Sequence, residues 1–172
     1  LVGRFKEREE NVRLDVLACF TELLRVTLSA EGRHKGKDVG AQAKALLEEK
    51  VPMIITAATK QMGPKGSLKT KSAVFAMLRQ LVQVTAGIGA ITLQPHMDTI
   101  MPSVTSAMGD KSAALKLDGL SFLRLLMETH EPEVFQKSID SLAPLVINCV
   151  NEEWYKIIAE AVRVVGTIVR VI

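Results

Sequence analysis

Aromatic and cysteine residues are scarce in this chain of 172 residues, and each scarcity excludes a class of protein. Aromatic residues make up 4% of the sequence, too few for the base-stacking surfaces with which proteins bind single-stranded nucleic acid. The two cysteines, Cys19 and Cys149, stand in no disulfide or metal-ligand spacing and are expected to be small buried side chains. The core must therefore consist of aliphatic residues, a composition that suits helices packed on helices.

The chain also lacks a large excess of one charge and a long apolar run. Its net charge is +3, with charged residues of both signs interspersed, so we expect no groove for nucleic acid and no anionic membrane surface as a partner. The longest uncharged run, Gln80–Met97, is interrupted by polar residues, a proline and two glycines, whereas a membrane-spanning helix needs about 20 mostly apolar residues. Residues 1–10 are charged and lack the apolar segment of a signal peptide. We therefore expect no membrane partner.

Apolar residues three and four apart predict helices, most clearly in residues 94–129. Met97, Ile100, Met101 and Val104 fall on one face of a helix, and a second helix follows after a polar turn. No segment alternates with period two for long enough to form a strand. Further helices are predicted at residues 8–27, 44–62, 68–85, 134–151 and 154–171, which gives about seven in total.

One stretch breaks this pattern. Residues 29–43 contain three glycines and hardly an apolar side chain. Such a segment buries too little surface to offset the entropy of ordering it. We predict a flexible loop between the first two helices at Ser29–Ala43.

The helices are of two alternating kinds, which indicates an internal repeat. Each complete first helix contains one proline, expected to bend the helix without ending it, and each second helix opens with an apolar residue followed by a base. These marks are Pro52, Pro102 and Pro144, and Arg13, Lys69, Lys116 and Lys156. The bases are 56, 47 and 40 residues apart, close to the period of about 40 to 47 residues in HEAT and armadillo repeats.

This repeat predicts the fold class. We expect an all-α, right-handed α-solenoid of HEAT/armadillo-type antiparallel helix pairs, with residues 1–172 forming a single segment of about 3.5 repeats. Glu7 and Asp110 lie six residues before Arg13 and Lys116. HEAT repeats use such acid–base pairs as a ladder between neighbouring turns, so we predict two rungs of that ladder here.

Motifs for catalysis or cofactor binding are incomplete. The stretch GPKGSLKT at residues 63–70 ends like a phosphate-binding loop, but Leu68 stands in place of the second glycine and the loop follows a helix. His34, His96 and His130 have no second ligand or nucleophile at a workable spacing, and we expect them at the solvated surface. We predict no catalytic residue, cofactor, metal or small-molecule substrate. An enzyme would need a pocket with convergent acids and bases.

Several blocks in order resemble one family. The blocks are RFKEREENVRLDV (4–16), LKTKSAVFAML (68–78), GDKSAALKLDGLSFL (109–123), PEVFQKSIDSLAPLV (132–146) and YKIIAEAVRVV (155–165). With them the chain resembles the cullin-associated, neddylation-dissociated protein family, long HEAT-repeat solenoids of the ubiquitin system, of the TBP-interacting type. The resemblance covers the whole chain and departs from the family in loops, chiefly at residues 29–43 and 63–66.

The resemblance implies a protein that is not an enzyme. The family's full solenoid wraps an unneddylated cullin–RING ligase core in the cytoplasm and nucleus, and by competing with substrate-receptor adaptors it promotes their exchange. The implied partners are the cullin and the RING subunit. This chain has no initiator methionine and ends on uncapped apolar residues, so we expect an internal fragment, with exposed ends that favour self-association.

Partner contacts are expected to be weak and polar. We hypothesise that the segment supplies curvature and spacing, and that the polar stripes of the second helices contact the partner without an exposed apolar anchor. The stripe residues are Asp118, Arg124, Lys156, Arg163 and Arg170. The alternative is a HEAT-type nuclear-transport receptor or another protein–protein adaptor, which would bind a small GTPase or cargo.

Overall fold

The structure, a computed structural model, describes residues 1–31, 37–88 and 92–171, and within these ranges it contains helices and no strand. The helices are α1 (Glu10–Glu31), α2 (Lys37–Lys60), α3 (Leu68–Ile88), α4 (Met97–Met108), α5 (Ala113–Thr129), α6 (Gln136–Val150) and α7 (Tyr155–Val171), with short 3₁₀ turns at Val2–Arg4, Gln94–His96 and Pro132–Val134. The predicted fold class, an all-α solenoid of about seven helices, is confirmed.

Serine side chains set the starts of two helices. The Oγ of Ser112 accepts a hydrogen bond from the Leu115 N–H at 3.4 Å, and the Oγ of Ser67 accepts one from the Thr70 N–H at 3.1 Å. Each bond satisfies a backbone donor that the first helical turn leaves without a partner. Helices α3 and α5 therefore each begin at a defined residue.

The chain divides into two compact units, of which Leu1–His96 is the first. Here α1 lies against α3, and α2 packs on α3 and on the first 3₁₀ turn. Phe5 meets Phe20 edge to face, with ring centroids 5.4 Å apart. Aliphatic side chains from all three helices fill the rest of the core, among them Leu17, Leu24, Ile55, Val74 and Leu78.

The second unit, Met97–Ile172, is built from two helix pairs. Helix α5 packs on α4 and α7, and α6 packs on α4 and α7. Its buried side chains include Ile100, Val104, Phe122, Leu123, Val146 and Val164. Gly119 is where α5 comes closest to α4, since a Cβ added there would lie 3.0 Å from the Cβ of Ala107.

The interior prolines lie where the sequence predicts them. Pro52, Pro102 and Pro144 are inside α2, α4 and α6, and each helix continues through its proline. All three proline side chains are exposed. Because the backbone carbonyl that loses its N–H partner lies on that side, water can reach it.

The predicted loop Ser29–Ala43 is wrong at both of its ends. Helix α1 continues to Glu31 and α2 already begins at Lys37, while residues 32–36 lie outside the described residues. The prediction treated a lack of apolar side chains as a lack of structure. A helix that has already formed gains one hydrogen bond for each residue it adds, and the Ala, Gln and Lys residues before Ala45 have high helix propensity.

The cysteine prediction holds for one residue of the two. Cys149 is buried in α6, but Cys19 is exposed on α1. In the described parts of the chain, no helix is both long enough and apolar enough to cross a bilayer.

Candidate protein-binding face of helix α7

Helix α7 begins where the turn after α6 ends. The Trp154 carbonyl accepts hydrogen bonds from the N–H groups of Ile157 at 2.9 Å and Ile158 at 3.3 Å. From there one side of the helix is apolar and lies against α5 and α6, with Ile157, Ala161, Val164 and Ile168 buried. The opposite side is left exposed.

That exposed side, the α7 outer face, consists of three rows whose members are seven residues apart. Seven residues are close to two helical turns, so the members of a row share a face. The apolar row is Tyr155, Val162 and Val169, the basic row is Lys156, Arg163 and Arg170, and the small residues between them are Ala159 and Gly166. Tyr155 is 68% exposed and Val169 is 70% exposed. These fractions are far above those of the buried side of the same helix.

Two aromatic side chains mark the start of this face. Trp154 and Tyr155 are the single tryptophan and the single tyrosine of the chain, and Trp154 is 36% exposed. The ammonium of Lys156 lies 5.5 Å from the centre of the Trp154 ring, within the range of a cation–π interaction. Tryptophan, tyrosine and arginine are the residue types enriched at the centres of protein interfaces.

The expectation that this chain has no exposed apolar anchor is therefore wrong. A signal for the anchor was present in the sequence, because Trp154 and Tyr155 are adjacent and follow the acidic turn residues Glu152 and Glu153. A core aromatic would be expected further inside the apolar periodicity of the helix. The sequence analysis instead assigned both residues to the helix start and overlooked their exposure.

Glu160 holds α7 to α5 and positions one base of the outer face. Its Oε1 accepts a hydrogen bond from the Arg124 Nε at 2.7 Å, and its Oε2 accepts one from the Arg163 Nη1 at 2.8 Å. Arg124 also pairs with Glu128 at 2.8 Å. Glu160 is only 4% exposed, so its charge is buried between two guanidinium groups while Arg163 itself remains exposed.

The electrostatics of this cluster favour the charged carboxylate. Burial acts to raise the pKa of Glu160, but the hydrogen bonds from Arg124 and Arg163 outweigh burial, so the pKa lies below its ordinary value. The same bonds, from Glu160 first and Glu128 second, raise the pKa of Arg124. The Glu160 carboxylate and the Arg124 guanidinium are therefore both ionised at neutral pH.

A second ion pair links the same two repeats. The ammonium of Lys116 on α5 pairs with the carboxylate of Glu152, immediately before α7. Lys116 and Glu152 are 36 residues apart, as are Arg124 and Glu160. Both bases of α5 thus reach an acid of the following repeat.

The described contacts of the predicted ladder include an acid that the sequence did not indicate. Lys116 pairs with Glu152, and Asp110 accepts a hydrogen bond from the Ser112 N–H at 2.9 Å. In the first unit, Arg13 donates to the backbone oxygen of Glu7 at 2.6 Å and to the Thr70 Oγ1 at 3.3 Å. Spacing along one chain segment identified the bases correctly, but it could not reveal acids that come from the next helix pair.

The other predicted contact residues are dispersed. Lys156, Arg163 and Arg170 share the α7 outer face, and Arg124 joins them through Glu160. Asp118 is half-buried on α5, and Lys69 is exposed at the start of α3. In the described part of the chain, no group of three or more His, Cys, Asp or Glu side chains is placed to hold a metal ion.

Comparison with known proteins agrees with this architecture. Residues 89–172 match the family described as "CAND1-like, TPR repeats". Over its whole length the chain is 38% identical to Cullin-associated NEDD8-dissociated protein 1 of Arabidopsis thaliana and 37% identical to the protein of that name from Drosophila melanogaster. Over 99% of its length it is 31% identical to Cullin-associated NEDD8-dissociated protein 2 of Mus musculus. The predicted family resemblance is confirmed, and the chain spans 14% of the length of each of these relatives.

Proposed function

We propose that this chain is a scaffold segment of a cullin-binding protein. Along its whole length it is similar in sequence to the cullin-associated NEDD8-dissociated proteins. In this proposal the complete protein sequesters unneddylated cullin–RING ligase cores and promotes exchange of their substrate-receptor adaptors, in the cytoplasm and the nucleus. The segment performs no reaction. It supplies stacked helices and one contact surface.

The observation that carries the proposal is the extent of the similarity. It covers the whole chain and therefore all seven described helices, at 38% identity to one relative whose name records a cullin association. The names of the relatives support a cullin as the partner. The exposure of helix α7 supports the choice of contact surface.

The α7 outer face is the surface that we assign to the partner. Its exposed Tyr155 and the neighbouring Trp154 supply apolar area, and the basic row supplies charge that can select an acidic patch. Arg163 is held in place by Glu160, so less side-chain freedom is lost when it binds. Lys156 and Arg170 are exposed in the same basic row, and both are among the contact residues that the sequence hypothesis names.

Retention on an immobilised cullin–RING complex tests this proposal. The purified chain is passed over the complete unneddylated complex, beside the variant Tyr155→Ala with Arg170→Ala. We expect the wild-type chain to be retained and the variant to bind at least tenfold more weakly. The matched control is Lys111→Ala with Lys137→Ala, which removes two exposed bases from α6 and the turn before α5 and should bind like the wild type.

Two results would contradict it. Equal retention of the wild type and the α7 variant would move the contact to another surface. Failure of the wild-type chain to bind the complex, together with binding to a small GTPase, would favour the nuclear-transport alternative. Circular dichroism spectra of all three proteins establish that each is folded.

A further inference from the structure

The stretch that contains the end of α2, the following turn and α3 has an excess of positive charge. Residues 50–97 include six lysines and arginines and no aspartate or glutamate, whereas the whole chain has 22 bases and 19 acids. The rest of the chain therefore has 16 bases and all 19 acids, so its own balance is negative. The net charge of +3 thus comes from one local basic region.

Three of these bases form a surface that we call the basic corner. They are Lys60 at the end of α2, Lys65 in the turn and Lys69 in the first turn of α3. All three are exposed, and within the described part of the chain none of them has an acidic partner. Leu68, which lies between Lys65 and Lys69 in the sequence, is 46% exposed. The corner thus offers unneutralised charge beside one apolar side chain.

The backbone of the turn is held in one conformation. The Gly66 N–H donates a hydrogen bond to the Gly63 carbonyl at 2.9 Å. A Cβ added at Gly66 would overlap the carbonyl oxygen of Gln61, so only glycine fits this close approach. The points from which the lysine side chains extend are therefore fixed before any partner binds, and less order has to be gained on binding.

The corner is open even though its neighbouring helix is present. It lies between two described helices in the interior of the chain, and the start of α1 already packs beside it. The Ser67 Oγ donates a hydrogen bond to the Glu10 carboxylate, and the Arg13 Nε donates one to the Thr70 Oγ1 at 3.3 Å. Because Glu10 is engaged in this way, the contact with α1 leaves the three lysines without a carboxylate.

We infer that the basic corner docks an acidic segment of a partner protein, in which carboxylates face Lys60, Lys65 and Lys69 and an apolar side chain contacts Leu68. Lysine acts as a point charge on a flexible stem and needs no bidentate geometry, which suits an extended segment. Neighbouring carboxylates of such a segment repel one another when it is free, and the lysines relieve that repulsion. The contact is separate from the α7 outer face and does not rest on the proposed function.

Other polyanions fit this surface less well. The aromatic residues of the first unit are Phe5, Phe20 and Phe75, and all three are buried. The described part of this unit therefore exposes no aromatic ring on which nucleic acid bases could stack. Anionic membranes are bound by clusters of about four to eight bases, and the corner has three. An acidic protein segment matches both the small number of charges and the exposed leucine.

A labelled synthetic peptide of aspartate and glutamate with one central leucine tests the inference by fluorescence anisotropy with the whole chain. At low salt we expect Lys65→Glu with Lys69→Glu to bind it about tenfold more weakly than the wild type. The control Lys44→Glu with Lys137→Glu has the same net charge and should bind like the wild type. Lys44 lies 16 residues before Lys60, about 24 Å away along α2, and Lys137 belongs to α6.

A second variant tests the apolar part of the contact. Leu68→Ser should weaken binding of this peptide about threefold and should not change binding of a peptide that has serine in place of the leucine. Circular dichroism spectra establish that every variant is folded. The inference is overturned if the wild type does not bind, if the Lys65 and Lys69 variant binds equally well, or if Leu68→Ser has no selective effect. Tighter binding to oligothymidylate or to phosphatidylserine vesicles than to the peptide would also overturn it.

Discussion

At the scale of single residues, the buried carboxylate of Glu160 is the most informative group. We expect Glu160→Gln to lower the free energy of unfolding by about 1 to 3 kcal/mol, because the neutral carboxamide has one acceptor oxygen for the two guanidinium groups that the buried carboxylate binds. Urea denaturation measures the change. The matched control is Glu128→Gln, which removes the exposed second partner of Arg124 and should cost less than about 0.5 kcal/mol.

The pKa of Glu160 gives this contribution a pH dependence with a fixed sign. The pKa is lower in the folded chain than in the unfolded one, so the stabilisation is complete above the unfolded value of about 4.3 and is lost as the pH falls through the folded value. The difference between wild type and Glu160→Gln should therefore shrink on acidification below about pH 4. A difference that grows in acid would contradict the assigned pairing.

His130 provides a second pH effect in a separate window. Burial lowers the pKa of His130, against a smaller opposite effect of its hydrogen bond to the Leu126 carbonyl, 3.1 Å away. The neutral ring is thus favoured in the folded chain, and its stabilisation is present above the unfolded pKa of about 6.5 and lost as the pH falls below it.

We expect His130→Gln to flatten the loss of stability that the wild type shows between about pH 6.5 and about pH 5.5, a range above the pKa values of ordinary carboxylates. Thermal unfolding in steps of pH measures it, and the two curves should run parallel at higher pH. Identical slopes in both proteins would show that His130 does not contribute. The half-burial of this residue also corrects the expectation that all three histidines lie at the solvated surface.

At the scale of helices, the glycine inside α5 and the glycine inside α7 have opposite roles. Gly119 lets α5 approach α4, since an added Cβ would lie 3.0 Å from that of Ala107, whereas Gly166 on α7 has open space. We expect Gly119→Ala to lower the free energy of unfolding by about 1 kcal/mol or more through overpacking. Gly166→Ala should raise it by about 0.5 to 1 kcal/mol through helix propensity.

Chemical denaturation compares the two variants. Each variant is the control for the other, because both substitutions gain the same intrinsic helix propensity and differ only in the space around the added Cβ. Equal stabilisation by both would mean that α4 yields to the added methyl group. In that case Gly119 would not be needed for the approach of the two helices.

Helix positions could be predicted from sequence wherever a buried apolar stripe defines the helix. Residues 154–171 were predicted and Tyr155–Val171 is observed, because the stripe from Ile157 to Ile168 fixes the helix from end to end. Helix α2 begins at Lys37 instead of residue 44. Its first residues have no apolar stripe, so only helix propensity, a weaker signal, indicates their structure.

At the scale of the whole molecule, the fold was predictable and the site only in part. Prolines and bases recur at a HEAT-like period, so several separate positions in the sequence predicted the same repeat architecture. The basic row Lys156, Arg163 and Arg170 was likewise identified from its spacing. The pairing of Glu160 with Arg124 was not, because a contact between residues 36 apart depends on how successive repeats stack, which periodicity within one helix does not reveal.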